Sequence, residues 1–156
     1  MITKKFTLVI NPGATSTKAS VYEGETEVFT ENIKHSIEEI QSFKEVADQF
    51  DYRKNAILEM LAKHGVSTEE IAIVVGRGGL TRPCESGVYR VNELMKQECR
   101  EGIQGKHACN LGALISDSIA KEIGLGDAYI ADPGIVDERP DYAKITGHPA
   151  FDLDPK

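Results

Sequence analysis

Short runs with strand-like alternation open this chain, and longer amphipathic stretches follow. Residues 6–10 are β-rich and end at Asn11-Pro12-Gly13, which predicts a strand. Residues 17–22 alternate, with Ala19 and Val21 on one face and Lys18, Ser20 and Tyr22 on the other. They predict a second strand. Glu23-Gly24-Glu25 predicts a turn, and residues 27–33 a third strand. The opening therefore reads as a β-meander with a polar, small-residue loop at 11–16, and not as a strand–loop–helix unit.

The period then changes. Ser36 and Glu39 have capping-box spacing, and Ile37, Ile40, Phe43, Ala47 and Phe50 recur at helical intervals behind them. Asp51 is placed to cap a second helix through Ala56, Ile57, Met60 and Leu61, stopped by Gly65. Residues 71–75 are continuously apolar, as in a buried strand, and run straight into Gly76-Arg77-Gly78-Gly79. Residues 88–91 predict a short strand, and Asn92 caps a helix to Glu101. A break at 102–105 precedes a helix over 107–123, and residues 128–131 predict the last strand. After Arg139 the periodicity fades. Strands first, then strands alternating with helices, predict one α/β domain with a mixed sheet.

The chain has 156 residues, enough to bury a core without staples. Its 18 basic and 25 acidic residues give a net charge of −7, which argues against a nucleic-acid partner. No apolar run approaches the roughly 20 residues of a membrane span. The expectation is a cytoplasmic protein. Cys84, Cys99 and Cys109 lack CxxC spacing and read as reduced thiols rather than zinc ligands.

Four features carry candidate chemistry. The loop after the first strand offers Gly13 for close backbone approach, the hydroxyls of Thr15, Ser16 and Thr17, and the charge of Lys18. It can cradle an anion, or it is a polar hairpin loop. It is not a Walker A loop, which needs a second glycine before the lysine and a helix after it. Arg77, held between glycines at a strand end, can fork onto a carboxylate or phosphate, or is a surface arginine in a turn. His107 can donate to a phosphoryl or carboxylate oxygen, or is a capping histidine. Asp132, at a strand end before Pro133, can be a base, a Mg²⁺ ligand or the orienter of an arginine, or an ordinary turn residue. Asp137 and Glu138 follow it closely.

Together and in this order, these stretches resemble the butyrate kinase branch of the acetate kinase family. That family lies in the superfamily of actin, heat-shock chaperones and sugar kinases. The resemblance rests on residues 10–18, 43–58, 74–80, 89–95, 102–112 and 129–138. It implies a single actin-like (ribonuclease H-like) domain over residues 1–145, with a mixed β-sheet flanked by helices. Residues 146–156 would be a tail or a truncated linker to an absent second domain.

The reaction implied is transfer of a phosphoryl group from ATP, with Mg²⁺, to a short-chain carboxylate such as butyrate. The resemblance implies catalytic roles for Asn11, Arg77 and Asp132, and phosphate contacts from Gly13, Thr15, Ser16, Thr17 and Lys18. It implies substrate contacts from Arg77, Gly78, Gly79 and His107, and places Asp132 as the metal ligand.

Ala14 and Cys109 stand where the family usually has serine. Family members also continue with a second half that carries further arginine, histidine, glutamate and adenosine-binding segments. His148, in its Thr-Gly-His-Pro setting, does not match the later histidine motif. The expectation is the N-terminal half of a kinase, weak alone and needing its other half or a partner chain. Self-association over a surface left open is a further expectation. The other reading is a truncated, non-catalytic relative that acts as an anion-binding or interaction module.

Overall fold

The computed structural model describes residues 3–134, 138, 140 and 142. Six strands form one sheet in the order β3-β2-β1-β4-β6-β5. They are β1 (Phe6–Pro12), β2 (Ser16–Glu23), β3 (Thr26–Lys34), β4 (Ile71–Arg77), β5 (Val88–Arg90) and β6 (Tyr129–Ala131). The first three are the expected meander, with β1–β2 and β2–β3 antiparallel. β4 then lies parallel to β1, and β6 parallel to β4, while β5 closes the edge antiparallel to β6. The sheet is therefore mixed. The carboxyl ends of β1, β4 and β6 lie along one edge, where ligands of α/β sheets gather.

Alternation in β1 buries Phe6, Leu8, Ile10 and Pro12 and leaves Thr7, Val9 and Asn11 half-buried. The buried set packs with Ile57, Met60 and Leu61 of α2 (Phe50–Lys63) and with Leu111, Leu114, Ile115 and Ile119 of α4 (Leu111–Glu122). α3 (Glu93–Glu101) packs on α4. The other sheet face keeps apolar residues in water, with Ile73 42% and Val88 67% exposed.

Helix boundaries depart from the periodicity in two places. The Ser36 capping box forms, with Glu39 N–H donating to Ser36 Oγ at 3.1 Å. However, α1 is only Ile37–Ser42, because Phe43 turns extended and no α1 residue is buried. A 3-10 turn (Val46–Gln49) follows, and α2 starts at Phe50 with Gln49, not Asp51, at the cap position. The apolar spacing through Ala47 and Phe50 thus spans two elements rather than one. Likewise, the expected helix over 107–123 begins as a 3-10 turn (Ala108–Asn110) before α4. Asn92 caps α3 as expected, accepting from Met95 N–H at 2.9 Å. The tail at 146–156, the boundary near 145, Asp137 and His148 lie outside the described residues.

Candidate functional site

Strand register assembles the site. Lys18 pairs with Asn11 across β2–β1, Ile10 pairs with Gly76, and Arg77 pairs with Ala131. Residues side by side in a sheet share a face. Lys18, Asn11, Arg77 and Ala131 therefore form a row on the open face at the carboxyl ends of three parallel strands. Lys18 and Arg77 are exposed, and Asn11 is half-buried. Neither cation has a carboxylate partner among the described residues, in a chain that otherwise pairs many of its lysines with acids.

The loop between β1 and β2 is shaped from below. Gly13 N–H donates to Ser16 O at 2.7 Å and closes the turn. Arg53, on α2 and fully buried, donates to the carbonyls of Gly13 (2.9 Å), Ala14 (3.0 Å) and Ser16 (3.1 Å). It also donates to Thr17 Oγ1 at 3.0 Å and to Gln49 Oε1 at 3.0 Å. Ala14 and Thr15 are exposed at the tip, and Ser16 is half-buried. Thr17 is fully buried on the helix side, so its hydroxyl faces away from the Lys18 row.

A polar chain runs from buried Thr17 out to the surface. Its Oγ1 lies 2.8 Å from His35 Nε2, His35 Nδ1 lies 3.2 Å from Tyr52 Oη, and Tyr52 donates to Glu39 Oε2 at 2.9 Å. Every group is satisfied when His35 is neutral with its proton on Nδ1. Burial and then the nearby Arg53 charge hold His35 down at about 4, against a weaker opposing pull from Glu39. The hydrogen bond from Tyr52 lowers the pKa of Glu39.

The Arg77 loop is fixed by its neighbours. Gly78 and Gly79 adopt φ of 79° and 115°, conformations that a side chain would strain. Gly78 N–H donates to Ala131 O (3.1 Å), and Gly134 N–H donates to Gly79 O (2.8 Å). Asn110, 3% exposed, then binds two loops at once. Its Oδ1 accepts from Leu80 N–H at 2.8 Å, and its Nδ2 donates to Gly105 O at 2.9 Å. The structure thus brings the 77–80, 105–110 and 132–134 segments together. His107 is exposed and caps the 3-10 turn, with its Nδ1 accepting from Cys109 N–H at 3.2 Å. That leaves Nε2 as the ring nitrogen without a partner among the described residues.

Asp132 is the one non-glycine residue with positive φ among the described residues, at 46°. Its N–H donates to Gly87 O (3.0 Å), and its Oδ1 accepts from Gly87 N–H (3.3 Å). Its second carboxylate oxygen has no partner among the described residues. Asp adopts this conformation in ordinary turns as well as at functional sites, where such residues cluster. No group of three metal-ligating side chains occurs among the described residues. A single open carboxylate still suits Mg²⁺, which commonly takes one or two carboxylates and completes its shell with water and phosphate oxygens. Cys99 is core, 4% exposed, with burial pushing its thiol up to about 12. A cleft of about 370 Å³ lies between residues 45–48 and 99–111, and Asn11, Arg77 and Asp132 are not among its lining residues.

Asn110 and Arg53 are the organising residues that sequence reasoning did not single out. For Arg53 a signal existed: it lies four positions before Ile57, on the apolar face of α2. Asn110 gave none, since it sat inside what read as a helix.

Two curated relatives align with nearly the whole chain. It is 46% identical over 140 residues to butyrate kinase 1 of Clostridium acetobutylicum, covering 90% of this chain and 39% of that protein. It is 50% identical over 142 residues to a probable butyrate kinase of Bacteroides thetaiotaomicron, covering 91% and 40%. The chain thus spans about 40% of the length of these relatives, and it is homologous to their N-terminal portion. Among solved structures, acetate kinase of Porphyromonas gingivalis superposes with a TM-score of 0.54 at 16% identity. That match covers 96% of this chain and 42% of the other. The fold is the actin-like α/β fold of that enzyme. No family model matches the chain.

Proposed function

From this homology to the butyrate kinases, we propose that the chain forms the N-terminal, acceptor-side portion of a carboxylate kinase. The reaction is phosphoryl transfer from ATP to a short-chain carboxylate such as butyrate. The observation that carries this reading is the row Lys18–Asn11–Arg77, two cations without a carboxylate partner among the described residues, flanking an amide beside the carboxyl ends of β1 and β4.

Chemistry assigns the parts. A carboxylate is ionised at neutral pH and needs no base to attack phosphorus. One carboxylate oxygen bonds to the γ-phosphorus, the bond to the β-bridging oxygen breaks, and ADP leaves with that electron pair. The protein's task is positioning and charge. Arg77, with Gly78 and Gly79 behind it, forks onto the acceptor carboxylate and the phosphoryl in transit. His107 Nε2 donates to the acceptor from the adjoining loop. Gly13, Thr15, Ser16 and Lys18, with Asn11, hold phosphate oxygens. The Thr17 hydroxyl, taken by Arg53 and His35, serves the loop's shape instead. Mg²⁺ at Asp132 supplies charge neutralisation on the phosphates when bound.

The relatives are longer, and we assign nucleotide closure to the portion beyond this homology, in the same chain or a second one. Relatives of this kind favour the cytoplasm. The test is hydroxylamine trapping of butyryl phosphate from ATP, Mg²⁺ and butyrate. It uses this chain alone and mixed with the remaining portion of a butyrate kinase, with Arg77→Ala as control. Turnover in the mixture that vanishes in the control supports the proposal. Equal turnover in the control sinks it. Phosphate binding without turnover in either preparation favours a non-catalytic anion-binding module.

A further inference from the structure

We propose that Arg53 is a positioning residue: a buried internal cation that holds the 13–16 loop in a form which binds a phosphate-class oxyanion. This rests on the reading of that loop as phosphate-contacting. Arg53 is 0% exposed, and among the described residues no carboxylate meets it. A buried charge without a counter-ion is costly to keep, and an oxyanion bound just outside would offset that cost.

The geometry says what uses it. In a trans peptide the C=O and the following N–H point in opposite directions. Arg53 draws in the carbonyls of Gly13 and Ala14, so the N–H groups of Ala14 and Thr15 point away from it. Neither N–H donates to any group among the described residues. Two consecutive outward amides make an anion-binding concavity. Beneath them lies a permanently charged guanidinium, and beside them Lys18. Simple attachment of a hairpin loop to a helix explains the five hydrogen bonds, but it does not explain the uncompensated charge.

The test is titration of the ¹⁵N-labelled chain with inorganic phosphate at constant ionic strength, repeated in Arg53→Lys, Arg53→Gln and Arg53→Met. We expect saturable shifts of the Ala14 and Thr15 amides. Arg53→Lys keeps the charge and loses the fork, so affinity falls about tenfold. The two neutral variants fall further, and binding loses part of its salt dependence. Equal affinity in folded Arg53→Lys and Arg53→Gln means a purely structural arginine and overturns the proposal. Shifts confined to other amides in the wild-type chain overturn it without any variant, so a misfolded Arg53→Met does not stall the test. Loop binding that ignores Arg53 defeats this inference and leaves the kinase reading standing. Arg53-dependent binding without acyl phosphate in the complemented assay does the reverse.

Discussion

Gly76 and Gly112 meet backbone to backbone: a Cβ on Gly76 would lie 2.5 Å from the Gly112 carbonyl oxygen, and one on Gly112 2.9 Å from the Arg77 carbonyl oxygen. The first turn of α4 is thereby seated on the end of β4, one residue before Arg77. No rotamer can relieve a backbone clash. Gly76→Ala is expected to cost about 2–3 kcal/mol in urea unfolding, and to weaken phosphate binding by shifting Arg77. A stability loss under 0.5 kcal/mol would mean that α4 slides freely.

His35 makes stability depend on pH. Its folded pKa, about 4, lies below the ordinary histidine value near 6.5. Between those values the unfolded chain binds the extra proton, so stability rises with pH through that window. The contribution is complete above about pH 6.5 and is lost as pH falls to about 4. Urea midpoints at pH 4.5 and 7 should differ more in the wild type than in His35→Gln. Equal differences would place the titration elsewhere.

Lys96 joins α3 to α4. It is 5% exposed, and its Nζ lies 2.8 Å from Asp117 Oδ2 and 2.6 Å from Glu93 Oε1. Burial pulls its pKa down, yet these two carboxylates raise it overall. Asp117→Ala leaves buried Lys96 with the exposed Glu93 as its remaining acid and should cost about 1–3 kcal/mol. Lys96→Met with Asp117→Leu should recover much of the loss. A double variant no better than Asp117→Ala contradicts this account.

Asp132 separates stability from function. Its φ of 46° lies in the left-handed region, which Asp tolerates better than most side chains because it bonds locally. Asp132→Gly fits the positive φ but loses the bond from Gly87 N–H to Oδ1 and loosens the unfolded chain, so stability should change by less than about 1 kcal/mol in either direction, while the complemented kinase assay collapses. Asp132→Asn keeps the turn and removes only the charge. Full activity in Asp132→Asn would remove the carboxylate from the proposed chemistry.

The sheet was legible because alternation tracks the two faces: Ala19 and Val21 are buried and Lys18 is exposed, although Ser20, on the Lys18 face, is buried too, where it accepts a hydrogen bond from Thr30 Oγ1. The Lys18–Asn11–Arg77 row was legible only in part. The motifs named its members, but β1 meets β4 through a pairing whose register local spacing does not encode. The break after Ser42 was hidden because apolar residues kept helical intervals across it. Asn110 was hidden for a different reason. Its bonds to Leu80 and Gly105 reach back 30 and 5 residues, and no local pattern marks such a bridge.

Arg53 reaches the 13–16 loop across about 40 positions of sequence. A chain made from its N-terminus completes the β1–β2–β3 meander before the residue that shapes its first loop exists. That loop gains its final form only when α2 docks. Anion affinity at the loop thus reports an assembly event, and a bound anion in turn favours the docked helix by mass action. Ligand present during refolding would act on the order of assembly as well as on its end point.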